Sequence, residues 1–124
     1  MTTRGIRGAT TIETDTKEEV LSATRELLDA ILATNPDLKT DDIASGLFST
    51  TEDIASAYPA LAARQMGWDL VPVICAREIP VPGGLPLCIR VLIHWNTNKK
   101  QDEIQHVYLR EAVKLRPDLV NREL

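Results

Sequence analysis

The sequence predicts an α+β fold: a mixed β-sheet of about five strands, covered on one face by one long helix and one short helix. Two observations predict it. Residues 17–32 carry apolar side chains at helical spacing along a single stripe, and four or five short apolar or β-branched runs, bounded by glycine, proline or charged turns, account for the rest. A single stripe on a helix of that length implies packing against a sheet, with Lys17, Glu26 and Asp29 left to water.

The first strand is read at residues 4–12, where glycines flank Ile6 and Arg7; glycine inside a strand commonly marks close approach of another backbone or a ligand. Asp15 and Thr16 offer N-cap oxygens for the long helix, Glu18 and Glu19 complete candidate capping boxes, and Val20, Leu21, Thr24, Leu27, Leu28, Ile31 and Leu32 form its stripe until Asn35-Pro36 stops it. Residues 43–50 read as a second strand, although Ala44 and Gly46 are weak strand formers. Thr51, Glu52 and Asp53 resemble a helix start; Pro59 should then break the stretch 55–66 or open a short helix at its first turn, with Gly67 at the C-cap. Residues 70–76 make a third strand whose apolarity predicts burial, while Pro72 favours an edge or a strand start. A proline- and glycine-rich loop, residues 79–86, separates it from the strand 87–93, and that closeness in sequence favours pairing of the two. The segment 103–117 mixes a strand-like first half with a helical second half.

Composition excludes several classes of function. A net charge of -4 offers nothing to a nucleic acid or an anionic membrane, and no stretch is long and apolar enough to span a bilayer or serve as a signal peptide. The chain reads as cytoplasmic, with Cys75 and Cys88 as thiols in apolar runs. There is no phosphate-binding glycine loop, and Cys75, Cys88, His94 and His106 lack paired metal-ligand spacing, so neither a metal nor a cofactor is expected. With 124 residues the chain makes one domain, too small to wrap a substrate generously, and a small enzyme of this size often completes its site with a neighbouring subunit.

What remains is a set of arginines. Arg64, Arg77 and Arg116 read most simply as solvated or surface-paired. Arg7 and Arg90 differ, because glycine or apolar neighbours on both sides deny them an easy surface. A guanidinium cannot shed its charge, so within the apolar run 87–93 Arg90 needs an anion against it. That anion is either a protein carboxylate, with Glu78 the candidate, or a small metabolite bearing more than one carboxylate held by converging arginines.

The residues also resemble a known family. The N-terminal Arg-Gly-Ile-Arg-Gly-Ala-Thr-Thr at 4–11, Gly67-Trp68 with Val71-Pro72-Val73 and Cys75, Gly83-Gly84-Leu85 with Cys88-Ile89-Arg90, His106-Val107-Tyr108-Leu109, and Leu115-Arg116-Pro117-Asp118-Leu119 are similar, in order and spacing, to the monofunctional trimeric chorismate mutases of the α/β pseudo-barrel class. The resemblance implies one domain over residues 1–119, a flexible tail at 120–124, and a homotrimer with active sites between subunits. It implies an isomerase that converts chorismate to prephenate by a Claisen rearrangement, on the path to phenylalanine and tyrosine, without a cofactor. Such pericyclic chemistry needs no nucleophile and no proton transfer; catalysis rests on selecting a compact conformer and stabilising charge at the ether oxygen.

Residue by residue, the resemblance makes Arg90 the guanidinium at the ether oxygen and a substrate carboxylate, Arg7 and Tyr108 carboxylate contacts, and Glu78 and Cys75 contacts to the ring hydroxyl and the developing allyl charge. Val73 and Ile74 line the pocket through their backbone, and Ala60, Ala76 and Arg77 also belong to the substrate-binding set. Tyr58 replaces a usual phenylalanine, Arg64 is peripheral, and Leu115 and Arg116 belong to a closing C-terminal segment. Leu61 stands where relatives can have a lysine, and Ile74 where a threonine can occur. The alternative reading is a non-catalytic trimeric binding protein for a small dicarboxylate.

Overall fold

The computed structural model describes residues 1–115. Its elements follow in the order β1 (Thr2–Thr11), α1 (Lys17–Thr34), β2 (Ile43–Thr50), α2 (Ala60–Gln65), β3 (Val73–Arg77), β4 (Cys88–Thr97) and β5 (Val107–Tyr108), with 3₁₀ turns at Thr40–Asp42, Gln101–Glu103 and Arg110–Lys114. The sheet order is β3-β2-β4-β1-β5. Strand β4 lies in the middle and runs antiparallel to β1 and β2, while β3 and β5 each add in parallel at an edge. The α+β expectation therefore holds.

Helix α1 begins at Thr16, whose backbone is extended and whose hydroxyl accepts from the Glu19 N–H at 3.1 Å. Asp15 does not cap it; its carboxylate accepts instead from the backbone N–H groups of Ala55 and Ser56, tying the loop before α2 to the start of α1. At the other end Asn35 stops the helix and then reaches across 70 residues. Its side-chain amide donates to the Gln105 carbonyl at 2.9 Å and its side-chain oxygen accepts the Gln105 N–H at 3.1 Å, which fixes the approach to β5. Helix α2 follows Pro59 and ends at Gly67, whose φ of 92° lets the Trp68 N–H close back on the Ala63 carbonyl.

Period-two alternation sorts the sheet residues between two faces. Ile6, Phe48, Val91, Ile93, Trp95 and Val107 turn toward α1 and are buried with Leu27, Leu28 and Ile31. A second cluster of Ile12, Val20, Ala23, Ile54 and Ile89 continues that core toward the start of the helix. Gly8 shows why β1 tolerates glycine: a Cβ there would lie 2.8 Å from Ile31 Cδ1 and 3.0 Å from Val91 Cγ1. The close neighbour is thus the helix, pressed against the strand.

Three local expectations are corrected. Strand β3 is an exposed edge, with Ile74 68% accessible, because Pro72 and the order of the sheet place it outermost. It pairs with β2 in parallel and not with β4, since residues 51–72, including α2, supply the crossover that a parallel pair requires. Residues 51–53 form a turn and not a helix start, because the Thr51 hydroxyl and the Asp53 carboxylate are taken by the backbone N–H groups of Cys88 and Leu87.

Replacing Gly8 with Ala should destabilise the fold by about 1–3 kcal/mol, the usual cost of overpacking a tight core. Urea unfolding checks it; an unchanged midpoint would mean that α1 and β4 give way freely.

Candidate active site

The alternation that buries Val91 and Ile89 turns Arg90 onto the opposite, helix-free face of the sheet. Arg90 is consequently not buried within the chain, as its apolar neighbours suggested; its side chain is 45% accessible. Those neighbours serve the core, and Arg90 looks away from it. The required anion is present: Glu78 Oε1 lies 3.1 Å from Arg90 Nε. Glu78 extends just past β3, and its N–H donates to the Thr50 carbonyl at 2.8 Å. Its carboxylate also accepts a short hydrogen bond from the Ser49 hydroxyl. Ser49 and Arg90 are cross-strand partners, so β2 and β4 present the pair together.

Arg7 and Tyr108 reach the same face from β1 and β5. The register pairs Arg7 with Leu92, Ala9 with Arg90 and Ala9 with Tyr108, which aligns the three candidate side chains across adjacent strands. The backbone N–H of Arg7 donates to His106 Nδ1 at 2.9 Å, so that ring nitrogen is the unprotonated one. Among the described residues no carboxylate pairs with the Arg7 guanidinium. Together Arg7, Arg90, Tyr108, Ser49, Leu47 and Leu92 surround a cavity of about 190 Å³. Small-molecule sites usually span roughly 300–1,000 Å³, so this cavity falls below the usual range.

The remaining candidates lie elsewhere. Cys75 and Arg77 alternate to the helix side of β3, where they line a second cavity of about 540 Å³ with Lys17, Tyr58, Pro59, Leu61 and the edge of Ala76. Tyr58 is exposed there. Arg77 is committed internally, donating to the Thr51 carbonyl at 2.8 Å, the Ile54 carbonyl at 2.6 Å and the Thr50 hydroxyl at 3.3 Å. Ala60 is buried and Arg64 is exposed on α2. Val73 packs partly on the core, whereas Ile74 faces out on the side of Arg90. Leu115 ends the described chain, half-buried, and Arg116 lies outside the described residues. The structure therefore unites Arg7, Glu78, Arg90 and Tyr108 but keeps them a sheet's thickness from Tyr58, Cys75 and Arg77.

Among the described residues, two groups are shifted from their ordinary range. Burial pushes the Cys88 thiol up, with the Arg90 guanidinium opposing in part, so this cysteine stays a neutral core residue. Hydrogen bonds from Ser56 and from the Ala55 N–H hold the Asp15 carboxyl below its ordinary 3.8. No group of three or more His, Cys, Asp or Glu among the described residues is arranged to hold a metal.

Sequence reasoning missed Ser49, Leu47, Leu92 and His106. A serine or leucine in a strand carries no local mark of facing a site, and His106 matters through a bond to residue 7. The alternation of β2 and β4 is the signal that would have found the first three, once register was known.

The fold and this arginine-lined face define a class: a small α+β protein presenting a preorganised site for a small anion. The comparisons make the class particular. A family model described as "Chorismate mutase type I" matches residues 3–119. The chorismate mutase AroH of Thermus thermophilus is 57% identical over 116 residues, 94% of this chain and 95% of that protein. The chorismate mutase AroH of Bacillus subtilis is 49% identical over 120 residues, covering 96% and 94% respectively. A solved chorismate mutase from Clostridium thermocellum superposes with a TM-score of 0.84 at 46% identity, over 87% of this chain and 96% of that one. The chain belongs to the type I chorismate mutase family.

Because its folded pKa is depressed, Asp15 stabilises the fold fully above the ordinary carboxylate range and loses that contribution as pH falls through its lowered value. Unfolding midpoints of the native protein and Asp15→Asn, followed from about pH 6 to about pH 2.5 across the carboxylate range, should converge at the acid end. Parallel curves would sink this assignment.

Proposed function

We propose that the protein converts chorismate to prephenate, in the biosynthesis of phenylalanine and tyrosine, as an isomerase acting by conformer selection and electrostatic stabilisation. The observation that carries the reading is the Arg90 guanidinium, fixed by Glu78 on an open sheet face and flanked by Arg7 and Tyr108. A rearrangement in which one C–O bond breaks as one C–C bond forms asks for no nucleophile or base. It asks for a fixed positive charge where the ether oxygen becomes negative, and for anchors that hold two carboxylates in the reactive conformer. Arg90 supplies the charge, with Arg7 and Tyr108 as anchors. Glu78 holds the guanidinium and turns its second oxygen to the ring hydroxyl. Residues 73–77 of a neighbouring copy supply lining, and Leu115 and Arg116 belong to the substrate-binding set.

The active unit is a homotrimer, with residues 1–119 as its domain and 120–124 as a tail. Two features support it: the Arg90 cavity is too small for a metabolite, and Tyr58, Ala60, Arg64 and Cys75 belong to the other side of the sheet. A neighbouring copy that lays its β3–α2 side over this chain's Arg90 face would bring the two sets together. We assign the protein to the cytoplasm, where a reducing environment keeps Cys75 and Cys88 as thiols.

Decay of chorismate absorbance tests the activity: a mere dicarboxylate binder would leave the spontaneous rate unchanged. Arg90→Ala should lower kcat at least ~10²-fold, the scale of removing one oxyanion donor. A neutral citrulline-type isostere at position 90 should also be inactive, assigning the effect to charge. Sedimentation equilibrium should return three times 13.8 kDa; a monomeric yet fully active protein would refute the shared site.

A further inference from the structure

We infer that Asp53, with Thr51, is a positioning residue for Arg90, acting through the backbone at Leu87 and Cys88; this inference rests on the proposed role of Arg90. Strand β4 starts from a residue in an unfavourable conformation. Leu87 has φ of 50°, in the left-handed region that a branched apolar side chain adopts at a cost. Something must hold it there. Both oxygens of Asp53 accept the Leu87 N–H, at 3.0 and 3.2 Å, and the Thr51 hydroxyl accepts the Cys88 N–H at 3.0 Å while donating to Asp53. The Thr51 N–H in turn donates to the Cys88 carbonyl at 3.1 Å, and the Leu87 carbonyl accepts the Ile12 N–H at 3.0 Å.

The clamp is tied to the other half of the ion pair. Glu78 is held by the Thr50 carbonyl and the Ser49 hydroxyl, and Arg77 by Thr50, Thr51 and Ile54. Residues 49–54 therefore fix both the segment that ends in Glu78 and the segment that leads into Arg90. The loop between them, residues 79–86, is rich in proline and glycine and packs little, so it cannot set their distance itself. Asp53 is exposed and does not line the Arg90 cavity; with Glu78 it borders a separate depression under the 79–86 loop. Its function is to keep Leu87 left-handed and the first residues of β4 in place, so that Arg90 meets Glu78 at 3.1 Å. Arg7 and Tyr108 stand on β1 and β5, outside the clamp, so losing it should spare substrate anchoring and affect charge placement in the transition state.

Steady-state kinetics on Asp53→Ala, Asp53→Asn and Thr51→Val should separate this from a merely structural role. Asp53→Ala should lower kcat at least about tenfold, within the ~10²-fold that a 1 Å misplacement can cost, with KM changed less than about threefold. Asp53→Asn keeps an oxygen acceptor for the Leu87 N–H and should restore kcat to within about threefold of the native value. Thr51→Val preserves shape, removes the Cys88 acceptor, and should show the same kcat-selective loss; it decides the matter if Asp53→Ala does not fold. Folded Asp53→Ala and Thr51→Val proteins whose kcat falls less than about tenfold overturn the inference, as does a loss confined to KM or an Asn variant as impaired as the Ala variant. Arg90→Ala, assayed in parallel, tells the two failures apart: full turnover there rejects the Arg90 reading itself, whereas inactivity there with an active Asp53→Ala rejects only the clamp.

Discussion

The central strand β4 must satisfy two faces and two neighbours at once, and the rest of the molecule follows from how it does so. Its backbone is paired on both sides, so its position is fixed by β1 and β2. Its side chains alternate. Ile89, Val91, Ile93 and Trp95 enter the core, each of the aliphatics worth roughly 1.5–3 kcal/mol when fully buried. Arg90 is thereby forced to the other face, in one register, by the burial of its neighbours. A slip of one residue would exchange the faces, and the core energy forbids it.

Magnitudes also indicate what the Arg90–Glu78 pair is for. A partly exposed ion pair contributes about 0–1 kcal/mol, far less than the apolar residues on either side of it. Fold stability gives little reason for its existence. The pair instead keeps a guanidinium oriented on a face whose apolar members are Leu47, Leu92 and the exposed Ile74, beside Arg7, Ser49 and Tyr108. In the proposed trimer that apolar surround would exclude water, and a charge held there would act on a developing anion with little screening.

Much of the chain is legible in one dimension. The stripe of α1, its stop at Asn35, the bounds of β2 and the end of α2 at Gly67 all follow from local spacing and capping, and the structure agrees with each. The resemblance in residues 4–119 carried the family, and the matched model over 3–119 bears it out. The errors were non-local. Residues 51–53 carry the composition of a helix start, yet their side chains are claimed by the backbone of Leu87 and Cys88, more than thirty residues away. Strand β3 reads as buried from its apolarity, although Pro72 pointed to the edge that the sheet order gives it.

By itself the sequence determined the class of fold and the family, because helix periodicity, caps and motifs are properties of neighbouring positions. Which face Arg90 occupies, that Glu78 reaches it, that Ser49 and Asp53 hold the two in place, and that Tyr58 and Cys75 stand across the sheet from them were decided by tertiary structure alone. The physical reason is that each depends on strand order and register, which arise when the whole chain buries its apolar stripe and strand faces together.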